Sequence, residues 1–347
     1  MIEQALIITK KNMFPLKCGA KIQKCASFVR LEVSKMKYIC LLIFIGLSFL
    51  PGVSAQNNSV ISLVPEKSVA VLRVDWTEVR GNEKLKKIVN GDNFSNMGGL
   101  IGVSEEKISE WVIFSDINPT SSKGMGMIVA GNFTSQSIVQ FARSKNWRQE
   151  KIGAQTAFIN PKDNSYLLPI RNGLLAAGTK SGIEKVSNVL SEQSQNLIST
   201  APFDTMWSEI RAKIFPINFM VGVPEQYQKV ADIAYKVAAK LMNLASFGII
   251  GTVMETIGFV NCFGFNISHR ETVFPTQMLA MMDSETKAWI ASGAVNLLKK
   301  APNAVGMQAK TEEDRQFLES VQTMSATYKK TLLTVNFEMP ERLMEKR

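Results

Sequence analysis

The chain has 347 residues, 46% hydrophobic and 20% charged, with a formal net charge of +10 and a single histidine. It can fill one large core or two ordinary ones, and one histidine leaves little room for hydrolytic triads built on that residue. Residues 1–55 hold eight Lys/Arg against Glu3 and Glu32; the remainder carries 32 basic and 28 acidic residues, interspersed, without the basic patch that nucleic acid requires.

Taken in chain order, residues 1–35 are polar and Lys-rich, and residues 36–55, Met36 to Ala55, have the three parts of a secretory signal. Lys35 and Lys37 form the positive start, Tyr38 to Leu50 the apolar run, and Val53-Ser54-Ala55 the small-residue site after Pro51. The pattern predicts cleavage between Ala55 and Gln56 and export to the periplasm or the medium. Two readings of residues 1–35 stand: an extension ahead of a true start at Met36, or the cytoplasmic arm of an uncleaved membrane anchor, in line with the positive-inside bias. The apolar run is about 13 residues against the ~20 that a spanning helix needs, so no stable membrane span is expected after cleavage. Cys18, Cys25 and Cys40 fall in this leader region, which leaves Cys262 alone, with no internal disulfide. In its apolar strand Cys262 reads as a small buried hydrophobe.

Beyond the leader, Val69 to Val74 reads as a buried strand closed by Asp75, and Glu78 to Val89 as a helix. Gly91 to Gly102 reads as loop, Ser104-Glu105-Glu106-Lys107 as a short capped helix, and Trp111 to Phe114 and Met125 to Gly131 as strands. Thr134 caps a helix to about Asn146. Three short strands are expected between Lys151 and Ala177, with a hairpin at Asn172-Gly173. A helix runs from Thr179 to Leu190, and residues 191–202 form a polar linker. The second half offers a helix at Phe203 to Lys213, a strand at Ile217 to Val223, a long helix at Gln226 to Leu244, and paired strands at Phe259 to Ile267 and Val273 to Asp283. Helices from Ser284 and Thr311 and a final alternating strand at Leu333 to Met339 complete it.

Each half thus runs strand, helix, antiparallel strands, helix. The expected fold is α+β: two similar units, residues 56–190 and 203–347, of mostly antiparallel sheet with helices packed on one face. The strand from Val69, the turn Ala130-Gly131-Asn132-Phe133-Thr134 and the run Gly178-Thr179-Lys180-Ser181-Gly182-Ile183-Glu184-Lys185-Val186 resemble a loose family of exported bacterial proteins of unknown function. In that family a similar α+β unit occurs twice after a signal peptide. The resemblance covers mainly Ser62 to Leu190, implies fold and export, and assigns no functional residue.

Candidate chemistry is sparse. Gly178-Thr179-Lys180-Ser181 sits where a phosphate loop would, but its spacing fails, and Thr179 reads as a helix cap. Met125 with Met127, and Met281 with Met282, are candidate thioether ligands for a soft metal ion; both pairs lie in apolar runs where Met fills cores. Asp75, Asp116 and Asp283 stand at strand ends and His269 in a turn, the places where catalytic groups collect, yet none has a partner at meaningful spacing. Five scattered Trp residues form no stacking platform. The sequons at Asn57, Asn93, Asn132 and Asn266 read as incidental. No cofactor is expected. The reading that results is an exported cell-envelope protein, a non-catalytic binding or structural module with an unknown protein or envelope component as partner. Its alternatives are an enzyme with a pocket assembled from strand-end carboxylates, and a carrier of lipid or another apolar ligand.

Overall fold

The structure, a computed structural model, describes residues 60–89, 97–116, 124–212, 215–223, 260–300 and 312–342, with Gln228 and Asp232. The signal segment and, apart from Gln228 and Asp232, the long helix expected at 226–244 lie outside the described residues.

Twelve strands form one sheet: β1 (Ala70–Val74), β2 (Ile108–Ser115), β3 (Gly126–Gly131), β4 (Arg148–Ile152), β5 (Gln155–Ile159), β6 (Tyr166–Arg171), β7 (Leu174–Gly178), β8 (Ile217–Gly222), β9 (Cys262–Ile267), β10 (Val273–Met281), β11 (Ser325–Lys329) and β12 (Leu332–Pro340). Their spatial order is β11-β12-β10-β9-β8-β1-β2-β3-β7-β6-β5-β4, and neighbours pair antiparallel throughout. The helices are α1 (Trp76–Arg80), α2 (Glu83–Ile88), α3 (Ser135–Ser144), α4 (Lys180–Leu190), α5 (Phe203–Ala212), α6 (Glu285–Lys300) and α7 (Glu312–Thr323). The fold is α+β.

Both halves build the sheet by the same scheme. From the centre, β1, β2 and β3 run outwards, α3 follows, and β7 returns to pair with β3; on the other side β8, β9 and β10 run outwards, α6 follows, and β12 returns to pair with β10. The first strands of the two halves meet at the centre, in register from Ala70 against Val221 to Val74 against Ile217. The 191–202 segment is packed: Leu197 is buried, its N–H donates to the Val64 carbonyl at 2.9 Å, and the Glu66 N–H donates to the Gln195 carbonyl at 3.2 Å.

Strand alternation sends apolar residues to two faces. On one, Val71, Val112, Phe114 and Ile128 pack with Ile183 and Val186 of α4 and with Met206 and Ile210 of α5. On the other, Leu333 and Val335 pack with Ala288 and Ala291 of α6. Leu332 and its neighbour Leu333 belong to different cores. Each fully buried side chain of this kind contributes roughly 1.5–3 kcal/mol.

Local departures from the expected elements have simple causes. The helix expected over 78–89 is two helices, because Asp75 and Asn82 each accept backbone N–H bonds and start a new one, with Gly81 between. The loop expected at 91–102 includes a helical turn at 97–101. Four strands, not three, follow α3, and β11 was not expected at all; β4 and β11 are the sheet's outermost strands. The hairpin at Asn172-Gly173 is present, with Gly173 at φ +74°.

The Ala130-Gly131-Asn132-Phe133 turn owes its glycine to close approach. The Gly131 N–H donates to the Gly173 carbonyl at 3.0 Å, and the Gly173 N–H donates to the Phe133 carbonyl at 2.7 Å. A Cβ on Gly131 would fall inside the van der Waals shell of the Lys107 carbonyl oxygen, a backbone atom that has nowhere to go. Gly131→Ala is therefore expected to destabilise the protein by about 1–3 kcal/mol, read as a lower denaturation midpoint. Gly99→Ala, with open space around it, serves as the silent control.

Candidate functional site

The predicted site residues do not converge. Asp75 and Asp116 close opposite ends of the β1–β2 pair, as the register of Ala70 with Ser115 and Val74 with Trp111 requires. Asp116 is ion-paired with Lys185 of α4. Asp283 pairs with Lys287 one turn along α6, at 2.5 Å, on an exposed face. Met125 and Met127 lie at the start of β3 and Met281 and Met282 at the end of β10, five strand spacings or about 24 Å away across the sheet. Among the described residues no group of three or more His, Cys, Asp or Glu side chains could hold a metal ion.

His269 is fully engaged. The Asn82 Oδ1 accepts from the N–H groups of Lys84 and Leu85, both at 3.1 Å, which fixes the orientation of that amide. Its Nδ2 therefore donates to His269 Nδ1 at 3.0 Å, and His269 Nε2 carries the proton shared with Glu341 Oε1 at 2.6 Å. The ring also stacks at 4.8 Å on Phe274. Lys84 completes the cluster with a 3.0 Å ion pair to Glu341, and these two hydrogen-bonding partners hold the Glu341 carboxyl below its usual range. The histidine straps α2 to the β9–β10 turn and the end of β12, with neither ring nitrogen open as a base.

Thr179 Oγ1 accepts from the Gly182 N–H at 3.2 Å and caps α4, so the glycine-rich run there is a helix start. Lys180 pairs with Glu150 at 2.6 Å. Cys262 is buried, with Sγ 3.1 Å from Met206 Sδ, and burial pushes its thiol up to about 12. Asn266, one of the sequons, is wholly buried in β9.

That asparagine belongs to a feature the sequence reading passed over. On one face of the sheet a chain of side-chain hydrogen bonds crosses six consecutive strands. Arg73 on β1 donates through Nε to Glu110 Oε1 of β2 at 3.0 Å and through Nη1 to Asn218 Oδ1 of β8 at 2.8 Å. Asn218 Nδ2 donates to Asn266 Oδ1 at 3.2 Å, Asn266 Nδ2 to Gln277 Oε1 of β10 at 2.9 Å, and Gln277 Nε2 to Asn336 Oδ1 of β12 at 3.1 Å. Arg73, Asn218, Asn266, Gln277 and Asn336 are successive cross-strand partners in the register. The signal was present in the sequence: β8, β9, β10 and β12 each carry one Asn or Gln inside an apolar run, and a polar residue at such a position asks for a buried partner.

The charged end of the ladder includes Asp75. Its Oδ1 accepts from the Glu78 N–H at 3.1 Å as the cap of α1, while its buried Oδ2 has no hydrogen-bond partner among the described residues. Burial pushes the carboxyl up to about 7, against the opposing pull of the Glu78 N–H and the Arg73 guanidinium. Glu110 is also raised by burial, with Arg73 opposing. Trp207 of α5 lies over the guanidinium at 5.8 Å.

At the amide end lies an open cleft of about 380 Å³ lined by Phe215, Pro275, Ser325, Asn336, Phe337 and Glu338. The hydroxyls nearest it are engaged: Thr276 donates to the Phe274 carbonyl and Thr323 to the Ser320 carbonyl. Asn336 Nδ2, Ser325 Oγ and the Glu338 carboxylate carry no hydrogen-bond partner among the described residues.

No protein-family model and no curated protein matches the chain. Three crystal forms of the treponemal protein TP0453 are similar in structure, at 8%, 8% and 9% identity with TM-scores of 0.44, 0.41 and 0.40; each alignment covers 82% of this chain and 94–96% of that one. Among the described residues no helix is long and apolar enough to cross a membrane.

Two outcomes follow from the ladder and its charged end. Asn266→Leu strands the Asn218 donor and the Gln277 acceptor together, and should cost on the order of 3 kcal/mol in urea unfolding with an unchanged m-value. Asp75 binds its proton more tightly in the folded protein, at about 7 against an ordinary 3.8. The stability it contributes is thus complete below about pH 4 and lost as pH rises through about 7. Asp75→Asn keeps a capping oxygen and removes that loss, so unfolding curves at pH 5 and pH 8 should show the variant gaining on the wild type at the higher pH; a constant difference would rule the assignment out.

Proposed function

We propose that the protein is an exported component of the bacterial cell envelope that works there as a binding module. The signal pattern from Met36 to Ala55 supports the compartment. The observation that carries the role is the distribution of polar chemistry. Asp116, Asp283 and His269 are each tied to a local partner at separate places, whereas three polar groups without such partners line one open cleft beside Phe215 and Pro275. Apolar walls with a few placed polar groups are what small-ligand sites offer. The partner in this reading is an envelope component or protein that presents its ligand from outside the fold.

Cell fractionation with N-terminal sequencing tests the compartment: the protein is expected in the periplasm or medium with Gln56 as its first residue. Recovery from the cytosol, or from any fraction with Met1 or Met36 at its start, overturns export with cleavage.

A further inference from the structure

We propose that the cleft at the amide end of the ladder binds a neutral polyhydroxylated ligand, a carbohydrate, and that Arg73 fixes from a distance the hydrogen-bond polarity offered to it. The proposal rests on the binding-module reading above and gives that module a ligand class.

The polarity follows from counting donors. A guanidinium has five N–H donors and no acceptor. Asn218 must therefore turn its carbonyl oxygen to Arg73, which leaves Nδ2 to face Asn266. The same constraint passes through Asn266 and Gln277, whose Nε2 meets Asn336 Oδ1. Flipping any one amide would set donor against donor and acceptor against acceptor in a buried place. Asn336 thus presents Nδ2–H to the cleft, four strand spacings or about 19 Å from the charge that dictates it.

Around that donor the cleft is mixed in a specific way. Asn336 Nδ2 only donates, the Glu338 carboxylate only accepts, and Ser325 Oγ does both. Asn336 and Glu338 lie two apart on β12, hence on one face, and Ser325 is the register partner of Asn336. An anionic ligand would satisfy the amide and the serine but would meet the charge of Glu338. A cation would satisfy Glu338 and oppose the amide donor. Adjacent hydroxyl groups donate and accept at once, and so satisfy all three. Phe215 and Pro275 supply apolar surface for the C–H faces of a sugar ring, and about 380 Å³ lies within the range of small-ligand sites.

The test titrates the purified exported protein by calorimetry with neutral trisaccharides (maltotriose, cellotriose, chitotriose) and with the acidic trimer of galacturonic acid. At least one neutral trisaccharide should bind and the acidic trimer should not. Asn336→Asp, close in shape but without the donor, should weaken the neutral ligand at least about tenfold, in line with the cost of an unpaired buried group. Gln277→Leu, which does not line the cleft, should weaken it comparably by releasing the Asn336 amide. Should either variant fail to give a wild-type melting curve, Ser325→Ala and Glu338→Gln, at exposed positions, take its place, and each should weaken binding severalfold. The proposal is overturned if no neutral trisaccharide binds, if the acidic trimer binds and Glu338→Gln tightens it, or if folded variants leave neutral binding unchanged. Fractionation separates the two failures: an exported protein that ignores neutral sugars sinks this ligand class alone, and a cytosolic protein sinks the envelope reading alone.

Discussion

A buried guanidinium is the constraint from which much of this sheet follows. Arg73 occupies the central strand on a face that packs against a helix-covered apolar core, and a charge in that position is tolerated only when paired and fully hydrogen-bonded. Glu110 supplies the countercharge and Asn218 takes a further N–H. From there the need for partners is handed outward, strand by strand, until it reaches a side chain beside open space. A half-satisfied version of this network would be worse than an apolar core, so six side chains on six strands are committed together. A one-residue slip of any strand would carry its amide to the opposite face. The ladder therefore specifies register in the half of the sheet where the strands alone, rich in interchangeable apolar residues, specify it least.

Legibility in the sequence tracked burial. Strands with two buried faces, such as β1, β2 and β3, stood out as apolar runs, and helices with a capping residue and an apolar stripe, such as α3 and α4, began where Thr134 and Thr179 placed them. The strands that escaped notice, β4 (Arg-Gln-Glu-Lys-Ile) and β11 (Ser-Ala-Thr-Tyr-Lys), are the two edges of the sheet. Edge strands have little to bury and carry charge to discourage further pairing, so they lack the alternation by which a strand is recognised. The candidate residues lie apart for a related reason. Asp75, Asp116, Asp283 and His269 were chosen for position along the chain, whereas the ladder and the cleft are assembled from residues far apart in sequence, each unremarkable on its own.

The two halves share a wiring scheme, and they use it differently. In the first, β3 to β7 lead into an extended meander that reaches the β4 edge, and the faces are filled by apolar side chains. In the second, the sheet has fewer strands and one of its faces carries a row of amides among apolar neighbours. Whatever the origin of the similarity, the polar chemistry belongs to one half and is anchored by a charge from the other. The seam between β1 and β8 is thus both the structural join and the point at which one half's arginine orders the other half's asparagines.

That seam also sets an order of events. Among the described strands β1 comes first in the chain, yet it lies in the middle of the finished sheet, and the Arg73–Asn218 bond spans 145 residues of chain. Contacts of such separation are paid for in loop entropy before they return anything. One side of β1 must therefore remain an open edge until β8 has been made. The central seam of this sheet therefore closes only after every strand of the first half has been made.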